Sequence, residues 1–305
     1  MKRFFLLFAV AIISLATFSA NAEAQEAEAV TVDPNFIINL YTGDFVYTPQ
    51  AQTAKTSSKV LDAIASTVAG EFTEYHDGYA DAVRAEILKG LAYTYRLRVK
   101  DKYFDQEIDN PNFSLIVDGV IASITSTTKV TVEERKDKNG KKVKYNTTTY
   151  QAAVTFTINL KNIKTMAIVN SHTFNVGAGE YSTWFSTRQI ALDRAMAAIS
   201  RSIIKYYDEL YPLTAHILEL GLAKHDKQKE LYIDLGSKHG VYEGLTFGVY
   251  KIKTIAGKEA RTFLGRIKIK KVEGEEVSFC KVVSGGKDIK KCLEDGEPLL
   301  IISRH

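Results

Sequence analysis

The hydrophobic rhythm of the chain changes several times, and each change marks an element. Residues 77 to 95 place Ala82, Val83, Ile87 and Leu91 at helical spacing behind Asp77, which predicts a helix with Asp77 as its N-cap. Ahead of it, VLDAIASTVAGEF (60–72) has the β-branched content of a half-buried strand. After it, RLRVKD alternates Leu97 and Val99 with Arg96, Arg98 and Lys100, a second half-buried strand. NFSLIVDGVIASITS and YQAAVTFTINLKNI predict two long strands, the latter with Val154, Phe156, Ile158 and Leu160 on one face. The polar stretch between them holds Asn139–Gly140, the strongest hairpin signal in the chain; at Asp118–Gly119 a similar turn signal competes with an apolar run that continues through it. Further on, Leu192, Ala195, Ile199, Ile203, Tyr206 and Leu210 form one stripe opposite Asp193, Arg194, Arg201, Lys205 and Asp208, the pattern of an amphipathic helix on a sheet, with Pro212 at its end. Trp184–Phe185, just before that helix, read as a staple over the core.

From Leu231 the pattern becomes short strands only: LYIDL, LTFGVYKI, LGRIKIKKV, EVSFCKVV and PLLII, separated by Gly- and Lys-rich turns. The predicted class is therefore α+β, a mixed sheet with two packed helices over 59–215, followed by a small all-β, barrel-like domain over 229–305. Residues 216–228, in the polar stretch that closes with AKHDKQKE (223–230), read as the linker between them, and residues 23–58 as a polar leader with one strand-like segment, FIINLYTGDFVY. The first 22 residues have the layout of a secretory signal peptide: Lys2 and Arg3, an apolar run from Phe4 to Ile13, and a small-x-small end at Ala20-Asn21-Ala22. The apolar core is interrupted by Ser14, Thr17 and Ser19 and is shorter than the roughly 20 residues that a spanning helix needs.

Composition narrows the partners. The net charge is +4, from 40 basic and 36 acidic residues, and becomes +2 once Lys2 and Arg3 are removed, too little to argue for nucleic acid or an acidic membrane. Export places the two cysteines, Cys280 and Cys292, in an oxidising compartment, where an even pair this close in sequence predicts a disulfide. The histidines, His76, His172, His216, His225, His239 and His305, show no i, i+4 pair or repeated ligand spacing, so no metal site is expected.

The glycines of LYIDLGSKHGVYEGLTFGVY invite a phosphate-binding reading, but Gly244 leads into an alternating strand, whereas such a loop leads into a helix. Gly236 and Gly240 are instead expected at positive φ around SKH, Gly244 at a turn, and Gly248 at a bulge or close backbone approach. Gly244-Leu-Thr-Phe-Gly248 imitates a nucleophile elbow without its serine or its strand-to-helix turn. No catalytic constellation and no cofactor site is read. Two charged stretches remain as partner-binding candidates: the hairpin tip with Arg135, Lys136, Lys138, Asn139, Lys141 and Lys142, and IKIKKVEGEE with Lys268, Lys270 and Lys271. The latter also fits a strand edge guarded by lysine.

Residues 59–215, through DGVI (118–121) and INLKNI (158–163), resemble the periplasmic domain shared by the curli secretion channel subunit and the outer-membrane lipoprotein that activates penicillin-binding proteins. Residues 229–303, through LYIDLGSKHGVYEGLTFGVY, GRIKIKKV and DGEPLLII, resemble the C-terminal domain of flagellar assembly protein T, which implies a non-enzymatic interaction module of the cell envelope. A curli-type channel also needs an acylated N-terminal cysteine and lipid-facing apolar strands; here the cysteine is missing and both faces of KVTVEERKDKNGKKVKY become charged toward the tip. The expectation is a non-catalytic scaffold or adaptor in the periplasm or cell envelope, without a membrane span in the mature chain, acting on envelope proteins and compatible with a homo-oligomer. Two alternatives are an activator of a cell-wall synthase and a hydrolase with a dispersed site.

Overall fold

The computed structural model describes residues 35–48, 69–102, 108, 111–136, 138–177 and 183–304. The expected signal peptide, nearly all of the polar leader outside its strand, and most of the strand expected at 60–72 lie outside them. Residues from Pro34 onward form one compact unit.

In chain order the elements are β1 (Ile38–Tyr47), β2 (Gly70–Tyr75), α1 (Ala80–Ala92), β3 (Leu97–Lys102), β4 (Ser114–Lys136), β5 (Lys142–Asn162), β6 (Ile168–Gly177) and α2 (Arg188–Leu210). There follow β7 (Thr214–Ala215), β8 (Ile217–Leu220), β9 (Ala223–Lys224), β10 (Lys227–Gln228), β11 (Glu230–Ile233), β12 (Thr246–Ile255), β13 (Lys258–Val272), β14 (Ser278–Ser284), α3 (Gly286–Glu294) and β15 (Leu299–Ser303).

The first sheet runs β3-β1-β4-β5-β6, with β2 added to β4. It is mixed: β1 pairs in parallel with both β3 and β4, whereas β4, β5 and β6 pair antiparallel. The strand-like segment assigned to the leader is thus β1, an interior strand of this sheet. Its Ile38, Leu40 and Tyr41 are buried, whereas Asp44 and Val46 toward its end are exposed. Both helices pack against one face. Val83, Ile87 and Leu91 of α1 and Leu192, Ala195, Ile199 and Ile203 of α2 meet Val154, Phe156, Ile158 and Leu160 of β5 in one core. Asp77 does not cap α1: it lies in a 3-10 turn, Asp77–Tyr79, and accepts a hydrogen bond from Tyr47 Oη at 2.6 Å. No turn forms at Asp118–Gly119, and β4 runs straight through.

The second sheet is antiparallel, in the order β7-β15-β12-β13-β14-β11-β8. Its two end strands are neighbours in sequence, separated by His216 alone. One short stretch therefore pairs with β15 through Thr214–Ala215 and with β11 through Ile217–Leu220, bringing the sheet's two ends together into a barrel-like form. This is how the predicted linker is used: residues 217–220 are a barrel strand, and 223–228 form the small β9–β10 hairpin. A second departure from short strands only is α3, which buries Ile289 in the barrel core.

The two parts share contacts. Tyr95 packs in the barrel core while its N–H donates to the buried Asp208 of α2 at 2.8 Å, and Asn35 both donates to Thr214 O and accepts from Thr214 N.

The cysteines are a correction. Both are free thiols. Cys280 points into the barrel opposite Ile269, and burial pushes its thiol up to about 12. Cys292 lies on α3 beside the Glu297 carboxylate, and burial together with that carboxylate raises its pKa as well. Nearness in sequence does not join them because one side chain serves the barrel interior and the other the Lys251–Glu297 pair. Alkylation without prior reduction is expected to add two groups after denaturation and to be slow in the folded protein, since the thiolate is the nucleophile. A species 2 Da lighter than the reduced chain, resistant to alkylation, would restore the bridge.

Candidate functional surfaces

The turn glycines divide by cause. Gly240 (φ +73) adopts the positive φ expected of it, and Gly244, expected only at a turn, does so too (φ +101). Gly236 does not: its φ is −139, and it is glycine because the backbone of Glu275 lies against it. Gly248 precedes the register shift between Val249 and Tyr250, and the Tyr250 ring would lie 2.7 Å from an added Cβ. These residues shape corners of the barrel.

The hairpin is long. β4 and β5 stay paired from Leu115–Asn162 to Lys136–Lys142, closed by a turn in which Gly140 has φ +78. β2 accompanies β4 as far as Val130, and Phe185 bridges Tyr150 through two backbone hydrogen bonds of 2.8 and 2.9 Å. Among the described residues, the pairs from Thr131–Thr147 to Lys136–Lys142 have no further strand beside them. Six pairs at about 3.4 Å per residue make a two-stranded arm of about 20 Å. Residues 131–136 are all exposed, and the arm bears Val132 (40% exposed) and Tyr145 (48%) among its charges. Arg135 bonds Glu133 at 2.6 Å, and Lys142 lies 3.5 Å from Glu134. Lys136, Lys138, Asn139 and Lys141 surround the tip, so sequence and structure place this group together. At the arm's root Lys129 lies over the Trp184 ring, 5.1 Å from its centre, while Phe185 packs against the core.

The second candidate changes character. β13 is an interior strand between β12 and β14, so its lysines do not guard an edge. Gly265, Ile267 and Ile269 face inward, and Arg266, Lys268 and Lys270 face outward. A register shift between Ile269 and Lys271 moves Lys271 out of this row to a place opposite Phe279, where it pairs with Glu273 at 3.2 Å. Lys268 stands directly opposite Lys281 of β14. Like charges facing each other across a ladder cost stability. Among the described residues no carboxylate forms an ion pair with Arg266, Lys268, Lys270 or Lys281. Lys281 could not be grouped with the others from sequence because it enters through register alone.

Three of the described histidines have hydrogen-bond partners within the fold. His76 Nε2 lies 2.7 Å from Ser126 Oγ, and burial lowers its pKa; His216 Nδ1 lies 2.9 Å from Asp234; His239 Nδ1 accepts from Gly236 N at 3.2 Å. Among the described residues no three His, Cys, Asp or Glu side chains are grouped as metal ligands would be, and no helix is long and apolar enough to cross a membrane.

Comparison with known proteins adds little. No family model and no curated protein matches the chain. Among solved structures, the chain is similar to a structure titled as a putative neuraminyllactose-binding hemagglutinin homolog from Helicobacter pylori. The two are 13% identical, with a TM-score of 0.27, over 58% of this chain and 87% of that one.

Proposed function

We propose that the protein is an exported, non-catalytic adaptor of the periplasm or cell envelope that acts by protein–protein contact. The observation that carries this reading is the arm at the end of the β4–β5 hairpin. A two-stranded ribbon adds little to a core and is marginal in water, so its stability contribution does not account for its length. Charged, exposed and projecting, it offers Val132 and Tyr145 as contact points between ion pairs, a surface suited to a partner.

A photo-crosslinking residue at Tyr145 is expected to give discrete adducts in envelope extracts of the producing cell, while one at Tyr93, 67% exposed but on the helical side, gives none. Replacing residues 133–144 with an Asn-Gly turn should leave Tm within a few degrees and weaken capture of the same partners. Equal adducts at Tyr93 and Tyr145, or unchanged capture by the shortened protein, would defeat the arm as the contact surface.

A further inference from the structure

The two edges of the first sheet are built differently. β3, at one edge, carries Arg98, Lys100 and Asp101, the charges that commonly prevent a free strand from pairing with another chain. β6, at the other, reads IVNSHTFNVG, ten residues with no lysine, arginine, carboxylate or proline. Its only irregularity is a register shift at its start, opposite Leu160 and Lys161. Among the described residues no strand pairs with the outer side of β6. The backbone N–H and C=O groups of alternate residues along such an edge point outward and form a template for another strand.

Beside this edge runs α2, and between them lies a groove of about 450 Å³. Its strand wall presents His172, Phe174 and Val176 toward the helix, with Thr173 and Asn175 on the opposite face of the sheet. The aromatic floor is firm: the His172 ring stacks on Tyr206 at 3.9 Å and meets Phe174 edge-on at 4.6 Å, and Tyr206 Oη accepts from Asn170 at 3.1 Å. The helix wall is cationic over most of its length. Arg201 and Lys205 line the groove, Arg194 lines the adjoining hollow beside Gly177, and Glu209 sits at the far end.

From Arg194 to Lys205 the helix rises about 16 Å at 1.5 Å per residue, the span of about five residues of an extended chain at 3.3 Å each. We infer that this groove binds an extended, acidic peptide segment of a partner protein, which adds to the edge of β6 as a further strand. Alternate side chains of the added strand face α2, and carboxylates at every second position meet the cations of its wall. The other set lies over the hydroxyl and amide groups of Thr173 and Asn175. The backbone supplies pairing and the charge pattern supplies selection, a division seen wherever peptides complete a sheet. The inference deepens the adaptor reading at a surface separate from the arm, so that loss of one leaves the other standing.

The test uses a fluorescent peptide alternating Glu and Thr over eight residues, titrated into the full mature protein and followed by anisotropy. Saturable binding is expected, with none for the matching Lys-Thr peptide. N-methylation of one alternate set of peptide nitrogens should weaken binding at least tenfold, and methylation of the other set should leave it nearly unchanged, because only one edge of the peptide faces β6. The double variant Arg194→Glu/Lys205→Glu should weaken binding at least tenfold with an unchanged circular dichroism spectrum. Equal affinities for the two methylated peptides would overturn strand addition, and an unchanged affinity of the double variant would overturn the charge selection. A dimer in sedimentation that Thr173→Lys dissolves, with no peptide binding, would assign the edge to a second copy and overturn the peptide. Shortening the arm is expected to leave all of these results as they are.

Discussion

Phe156→Ala is expected to lower the unfolding free energy by about 3–5 kcal/mol, the range for removing a fully buried aromatic ring. Phe156 is completely buried at the centre of β5, paired across the ladder with Ile121 on one side and Phe174 on the other. Its ring stacks on Phe174 at 4.9 Å with an interplanar angle of 12°. Phe174 in turn meets Tyr206 of α2 edge-on at 5.5 Å, so the ring is part of the layer that joins sheet to helix. Removing it takes away transfer free energy and leaves a space that backbone on one side and a packed helix on the other cannot close. Phe263 is the control: it is 45% exposed, with Tyr250 at 5.5 Å and the Arg304 guanidinium at 5.2 Å, and its truncation should cost no more than about 1.5 kcal/mol because only part of its surface leaves water. Urea unfolding followed through Trp184, the chain's only tryptophan, measures both. Equal losses would mean that the core between sheet and helices is less packed than its burial indicates.

The elements that sequence predicted best are those whose signals are local. The β4–β5 hairpin combines alternation with Asn139–Gly140: the turn formed at that dipeptide, while both strands run on through the polar stretch, to Lys136 and from Lys142, well past the apolar segments that predicted them. The stripe from Leu192 to Leu210 likewise needs only helical spacing. The order of the first sheet was not legible, because β1 is defined by its neighbours: it lies between β3 and β4, which follow it by dozens of residues, and nothing in FIINLYTGDFVY points to either. The helix α3 had a signal that strand-rich surroundings concealed: Ile289, Cys292 and Leu293 follow helical spacing, and Gly296 ends the stretch at φ +66. Asp77 looked like a cap by type, but the tertiary contact with Tyr47 took its carboxylate. The same distinction runs through the candidate surfaces. The hairpin-tip residues are sequence neighbours and were found together. Lys268 and Lys281 are opposed only through register, and the groove beside β6 exists only because α2 returns along a strand that ended before it began.

Gly285→Ala is expected to cost about 2–5 kcal/mol, although it adds one methyl group to a turn. Two causes combine. Gly285 precedes α3 with φ +74, a left-handed conformation that costs a residue with a Cβ about 1–2 kcal/mol. An added Cβ would also press on Leu264 O and approach Gly265 Cα to 2.6 Å, where β13 passes under the end of β14 with no flexible side chain between the two backbones. Forcing atoms into so close a crossing costs a further 1–3 kcal/mol or about that, because the strands must separate. Gly140 separates the two causes: its φ of +78 is nearly the same, but nothing lies within 4 Å of its added Cβ at the tip of the arm. Gly140→Ala should therefore lose only the conformational part, and Gly140→Asn still less, since asparagine tolerates left-handed backbone. Gly285→Asn should fail to recover stability, because the Cβ and not the φ is the larger obstacle there. Urea midpoints of the four variants at constant m-value decide between the causes: if Gly285→Ala and Gly140→Ala lose the same amount, or if asparagine rescues position 285, the close crossing of β13 and the β14–α3 junction is not what requires glycine.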